Sequence, residues 1–255
     1  MTQIRALFFD MDQTLTRDSE STRLSVQRIL PLIQQRCPHL NPEEIYHRYR
    51  AINNVHWEDF DASPIAQMID AIEARSHIWN EFLQSCGVND LDFARTVADI
   101  FQEAREETYR VYDDTIPVLE ELKNTMPMYM ITNGHGQMQR RKIEITGLHQ
   151  FMNNIFVAQE TGFSKPSPEI YQFALQAAEV EPGEALMVGD HPEKDILGAK
   201  ALGIRTAWMR RHDSYRQYHD PQPDYYVENM YDVQELVEQS NGKMETSSPV
   251  EFQQS

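Results

Sequence analysis

Two carboxylates two positions apart, Asp10 and Asp12 in FFDMDQTLT, follow a short apolar run, and on an extended chain both side chains point the same way. Like charges that close demand a cation or a shared proton. Acids are also common at solvated strand ends, so the pair alone leaves both readings open. A second stretch, ALMVGDHPEKD, brings Asp190 and Asp195 after another apolar run, with Gly189 permitting a tight turn. If the two runs are strands of one parallel sheet, Asp10, Asp12 and Asp190 share a crevice. An oxygen-rich site of that kind suits Mg²⁺, which prefers few carboxylates, several waters and substrate oxygens. Asp195 also reads as a first-turn acid facing a helix dipole, a role compatible with the first. His191 adjoins the turn but is not expected to be a ligand, since Mg²⁺ favours oxygen over imidazole.

A third run, MYMITNGHG, ends in Thr132, Asn133 and Gly134 directly before a helical pattern. A hydroxyl, an amide and backbone N–H groups at a helix start suit a phosphate, although TNG also describes an ordinary turn. Lys165 stands in GFSKPSP, where the following proline biases it to extended backbone. It reads as a phosphate counter-charge or as a solvated surface lysine.

These residues need a scaffold that gathers strand ends. Short apolar runs at Ile4–Phe9, Met128–Ile131, Ile155–Ala158, Ala185–Val188, Thr206–Trp208 and Tyr225–Val227 alternate with helical patterns at about 114–125, 137–146, 168–179, 194–202 and 231–239. That alternation predicts an α/β fold, a Rossmann-like parallel sheet whose ligands lie beyond the carboxyl ends of the strands. Between residues 16 and 112 the strand signal disappears. Apolar residues there recur at helical spacing, predicting helices over 19–35, 42–53, 63–85 and 90–109. The expected domains are therefore an α/β core of residues 1–15 and 113–240 and an inserted all-α module of residues 16–112. Residues 241–255, poor in apolar side chains, are expected to be a mobile tail.

Composition narrows the function. The chain has 255 residues and a formal net charge of −17, which argues against a nucleic-acid or anionic-membrane partner. No apolar run is long enough to span a bilayer, and the start of the chain lacks the pattern of a signal peptide. Cys37 and Cys86 lack zinc-ligand or framework spacing, and a reduced cytoplasm is the expected location. The histidines show no HxxxH or HxH spacing. The short basic runs Arg140-Arg141-Lys142 and Arg210-Arg211-His212 read as solvated faces. Composition leaves a small-molecule partner open and does not decide between a monomer and a dimer.

Taken in order, FFDMDQTLT, MITNG, SKPSPEIY and VGDHPEKDILGAKALGIRTAW resemble the four motifs of the haloacid dehalogenase superfamily, with the helical insert matching its C1-type cap. TNGHGQMQRRKIEITGL is similar to the branch that contains N-acylneuraminate-9-phosphatase and pyrimidine-type nucleotidases. The chain departs from that branch at His191, where Ser or Thr is usual, and at Gln13, where Asn, Asp or Gly is commoner. The resemblance implies that Asp10 attacks phosphorus to form an aspartyl-phosphate, with Asp12 as acid and then base. It further implies Mg²⁺ held by Asp10, Asp190 and the Asp12 backbone carbonyl, with Asp195 at the metal site directly or through a metal-bound water, and Thr132 and Lys165 on the phosphoryl oxygens. The cap and the loop leading into it would select the substrate, with Arg17, Arg23 and Trp57 as candidates.

Mg²⁺-dependent hydrolysis of a sugar phosphate or nucleotide is the expected activity. A 2-haloacid dehalogenase is the main alternative, but that branch typically lacks an acid at the position of Asp12. A phosphate-binding protein of the same fold without turnover is the other.

Overall fold

The computed structural model describes residues 3–211 and 221–242. In chain order the elements are β1 (Ala6–Phe9), α1 (Asp18–Arg36), α2 (Pro42–Glu58), α3 (Ala71–Ser85), α4 (Leu91–Thr108), α5 (Thr115–Lys123), β2 (Met128–Thr132) and α6 (Gly136–Thr146). There follow β3 (Asn154–Val157), the single turn α7 (Ala158–Thr161), α8 (Pro168–Ala178), β4 (Ala185–Gly189), α9 (Gly198–Ala201), β5 (Arg205–Met209), β6 (Tyr225–Val227) and α10 (Met230–Ser240). A π-helical segment, Pro192–Leu197, leads into α9. Contacts divide the described residues into two units. The first takes in residues up to Arg17, then Val111–Thr132 and the chain from Gly147 onward; the second is Asp18–Arg110 with Asn133–Thr146.

The first unit is built on one parallel sheet of order β3-β2-β1-β4-β5-β6. Every residue of β1, β2 and β4 is buried, which is why these strands read as unbroken apolar runs rather than alternating ones. Asn241, assigned by sequence to the tail, instead closes this unit. Its Oδ1 accepts from the Ile4 amide at 3.1 Å and its Nδ2 donates to the Ile4 carbonyl at 3.1 Å. The rest of the expected tail, residues 243–255, lies outside the described residues, as does His212.

The second unit is helical. Its interior is aromatic: Tyr49 stacks on Trp79 with ring centroids 4.2 Å apart, and Phe82 and Phe101 meet the same indole edge to face. Asn41 and Glu44 close a reciprocal capping box at the start of α2. The helix expected over 63–85 is broken. Ser63-Pro64 starts a short 3₁₀ turn, Pro64–Gln67, and α3 begins only at Ala71, where Asp70 Oδ1 accepts from the Glu73 amide at 2.8 Å. Asp70 is a better start signal than the apolar periodicity that ran through it.

Candidate active site

Strand order explains how residues far apart in sequence meet. Phe9 pairs with Met130 of β2 and with Val188 of β4, so Thr132, Asp10 and Asp190 leave the same edge of three adjacent strands. The chain runs outward from β1 through β2 to β3, then returns to β4 on the other side. This is the topological switch point at which open α/β sheets bind ligands.

Asp10, Asp190 and Asp195 form one group, each offering a carboxylate oxygen within 4.8 Å of the others. Lys165 joins them: Nζ donates to Asp10 Oδ1 and to Asp195 Oδ1, both at 2.6 Å. The lysine side chain is 2% exposed and that of Asp195 1%, so neither charge is met by bulk water. Burial raises Asp10 to about 7; Lys165 pulls it down, while Asp195 and Asp12 push it further up. Burial also lifts Asp190 well above the usual carboxylate range, aided by Asp10 and Asp195. For Lys165, burial alone would favour the neutral amine, but Asp10 and Asp195 outweigh it and hold the ammonium charged.

Among the described residues, three carboxylates therefore face one ammonium, and Asp10 Oδ2 is buried without a hydrogen-bond partner. An all-oxygen donor set with surplus negative charge and an orphaned lone pair fits a hard divalent cation such as Mg²⁺. Asp10, Asp190 and Asp195 are the side chains that would hold it.

Asp12 is positioned by a residue the motif reading passed over. Thr16 Oγ1 donates to Asp12 Oδ1 at 3.0 Å, and the Gln13 amide donates to the Thr16 carbonyl at 2.9 Å, folding 12–16 into a tight loop. Gln13 has φ 66°, in the left-handed region that Gly, Asn and Asp tolerate best. The usual residues at this position match that conformation, and Gln13 adopts it at a cost.

The β4 turn is equally constrained. A Cβ on Gly189 would sit 2.3 Å from Asp195 Cγ, so only glycine lets that carboxylate lie against the strand end. Asp195 Oδ2 accepts from the His191 amide at 2.9 Å, and Trp208 Nε1 donates to the Asp190 carbonyl at 2.8 Å. His191 serves as a helix cap. Its Nδ1 accepts from the amides of Glu193 and Lys194 at 3.2 and 3.3 Å, capping the π-helical segment. Burial lowers its pKa to about 4, which keeps the accepting nitrogen unprotonated.

Thr132 ends β2 and is buried. Asn133 and Gly134 follow it in the chain and group with the helical unit, where Gln139 Nε2 donates to the Asn133 carbonyl at 2.8 Å. Arg17 pairs with Asp113 at 3.0 Å and Arg23 with Glu43 at 3.5 Å. Trp57 Nε1 donates to Asn53 Oδ1 at 2.9 Å and its ring stacks on Phe60, just past the end of the same helix.

Neither basic run is the expected solvated face throughout: Arg140 and Arg141 are exposed, but Lys142 and Arg211 are turned inward. Lys142 is buried and donates to Asp18 Oδ1 at 2.6 Å, alongside Arg105, which holds the same oxygen. Burial alone would raise Asp18, but the guanidinium and ammonium outweigh it and hold the carboxyl far below the usual range. Arg211 donates to Asp114 Oδ1 at 2.9 Å and to the Thr14 carbonyl at 3.1 Å, with its guanidinium 4.1 Å from the centre of the Tyr112 ring. Net charge along the sequence hid both, because each cation pairs with an acid distant in the chain.

The family model for haloacid dehalogenase-like hydrolases matches residues 4–203, spanning strands β1 to β4, the acid cluster and the helical insert. The chain belongs to this family. As a haloacid dehalogenase-like hydrolase it is 26% identical over 250 residues to N-acylneuraminate-9-phosphatase of Mus musculus, covering 97% of this chain and 99% of that protein. Two solved members of known fold align with it. The HAD-hydrolase YfnB of Bacillus subtilis, bound to magnesium, superposes with a TM-score of 0.72 at 22% identity, covering 92% of this chain and 99% of that one. A 2-haloacid dehalogenase of Pseudomonas syringae superposes with 0.65 at 24% identity, covering 93% and 99%. At such identities the two structures establish the fold of this hydrolase and no more. No helix among the described residues is long and apolar enough to cross a membrane.

Proposed function

We propose that the protein is a Mg²⁺-dependent phosphomonoesterase acting on a small phosphorylated metabolite of the sugar phosphate or nucleotide class, through an aspartyl-phosphate on Asp10. The observation that carries this reading is the pairing of a buried nucleophile candidate with a second carboxylate, Asp12, oriented by Thr16. Halide departs without a proton, whereas an alkoxide needs one, so a positioned acid at residue 12 favours phosphate esters over haloacids. The 26% identical relative, N-acylneuraminate-9-phosphatase, is by name a phosphatase, which supports the same choice.

Asp10 Oδ2, which meets no donor among the described residues, is the oxygen left for an electrophile or a cation. In the first step an Asp10 carboxylate oxygen bonds to phosphorus and the bond to the leaving oxygen breaks, with Asp12 giving that oxygen its proton. In the second step Asp12 takes a proton from water, the water oxygen bonds to phosphorus, and the Asp10–phosphorus bond breaks. Ester and water become alcohol and phosphate, with both carboxyls restored. When bound, Mg²⁺ would offset the negative charge shared by the phosphoryl oxygens and the three carboxylates. Lys165 and the Thr132 hydroxyl serve the same oxygens, and Lys165 also lowers the proton affinity that burial gives Asp10.

The test is phosphate release from a panel of sugar phosphates, nucleotides and an aryl phosphate by the full chain. Turnover that needs Mg²⁺ and vanishes in Asp10→Asn supports the proposal. Turnover unaffected by a chelator, or retained in Asp10→Asn, contradicts it.

A further inference from the structure

A second group of metal-ligand side chains stands within the helical unit, formed by His56, His77 and Glu81. His77 and Glu81 are four residues apart on α3 and so share one face, while His56 comes from the last turns of α2. Twenty-one positions separate the two histidines, which is why no HxxxH pattern announces them. Helix packing alone brings them together.

The geometry is that of a site. His56 Nε2 lies 2.9 Å from Glu81 Oε2, and His77 Nε2 lies 3.2 Å from Glu81 Oε1. All three ligand atoms fall within 4.8 Å of one another. Ligand atoms around a tetrahedral Zn²⁺ with bonds of about 2.0–2.1 Å are roughly 3.3–3.5 Å apart, so the side chains need only small rotations to enclose an ion.

Two further observations point to a ligand. His77 Nε2 is buried and has no hydrogen-bond partner among the described residues, its 3.2 Å approach to Glu81 being an ion-pair contact only. The other nitrogen of His56, Nδ1, lies 2.7 Å from Ser63 Oγ. That contact fixes the imidazole and directs Nε2 at Glu81, the outer-shell support that metal-bound histidines commonly have. His56 is 6% exposed, whereas His77 and Glu81 are 31% and 40% exposed, leaving a path from solvent.

We propose that His56, His77 and Glu81 bind a borderline divalent cation of the Zn²⁺ class, clamping the end of α2 to α3. Two imidazoles and one carboxylate suit Zn²⁺ and its transition-metal neighbours, in contrast to the all-oxygen group around Asp10. The three ligands leave a position open for water. The site is independent of the hydrolytic reading, and its occupancy is read without any turnover.

The experiment is calorimetric titration of the full chain with Zn²⁺ in excess Mg²⁺, repeated in an Asp190→Asn background to remove competition from the acid cluster. One tight equivalent is expected in both, with a rise in thermal midpoint that grows with Zn²⁺ concentration. His77→Gln and Glu81→Gln, both at partly exposed positions, are expected to weaken Zn²⁺ by at least about 100-fold, and Ser63→Ala by about 10–100-fold. Circular dichroism melts without metal establish that the variants are folded. Absence of a tight equivalent, or unchanged affinity in either folded glutamine variant, overturns the proposal.

Discussion

Lys165 Nζ sits 2.6 Å from Asp10 Oδ1 and is the ammonium that makes a buried carboxylate at the end of β1 tolerable. It meets Asp195 at the same distance, so one cation serves two acids carried on separate segments. Removing it leaves both acids buried without compensation, and breaking such a pair costs about 3–5 kcal/mol. Lys165→Met is therefore expected to lower the urea midpoint sharply in metal-free protein and to abolish phosphate release. Mg²⁺ should recover part of the lost stability and none of the activity. Equilibrium unfolding with and without Mg²⁺ checks this.

Asp190→Asn is expected to act in the opposite direction on stability. Burial, Asp10 and Asp195 all raise Asp190, so replacing it with an amide relieves repulsion while removing a ligand. The metal-free variant should match or exceed the wild-type midpoint above neutral pH and lose the stabilisation by Mg²⁺. A variant less stable than wild type in metal-free buffer, yet still stabilised by Mg²⁺, contradicts the cluster as described.

The pH dependence follows from the same shift. Asp10 moves from 3.8 to about 7, so between those values the folded protein holds a proton that the unfolded chain has released. Stability contributed by this group is present below the unfolded value and is lost as pH rises through the folded one. The buried His135 and His191, both lowered by burial, work the other way, losing stability as pH falls below 6.5. The difference between wild type and Asp190→Asn isolates the cluster. Stabilisation by Mg²⁺ is expected to be larger near about pH 8 than near about pH 5, because binding at the lower pH must displace a proton. Unfolding curves at the two pH values, with and without Mg²⁺, measure it.

His191 offers a test confined to a helix cap. His191→Ser keeps a side-chain acceptor for the amides of Glu193 and Lys194 and should leave stability within about 0.5 kcal/mol, while His191→Ala should cost about 1 kcal/mol. Equal losses for the two variants would mean that Nδ1 is not acting as a cap.

Much of this arrangement is legible in sequence, for physical reasons. Strands buried on both faces must be apolar throughout, so ALFF, MYMIT and ALMVG announce themselves, and the acids at their ends mark the sheet edge. Gly189 is informative because the Asp195 carboxylate occupies the space of its missing side chain. What stayed hidden depends on contacts between distant residues. Thr16 looks like any loop hydroxyl until it donates to Asp12, and Lys142 looks like any basic residue until Asp18 meets it across the helical unit. The same holds for His56 and His77, whose proximity is decided by how α2 packs on α3. The break before α3 was obscured because the apolar spacing runs on through Met68 and Ile69, although Asp70 caps the helix that follows.

The most direct measurement is rapid acid quench of the full chain mixed with a turned-over phosphate ester and Mg²⁺, followed by mass spectrometry of the peptide that contains residue 10. The account predicts phosphate attached to Asp10, transient in the wild type and accumulating in Asp12→Asn, which lacks the base for the second step. Turnover with no phosphate on that peptide in either protein, or phosphate on another residue, would contradict it.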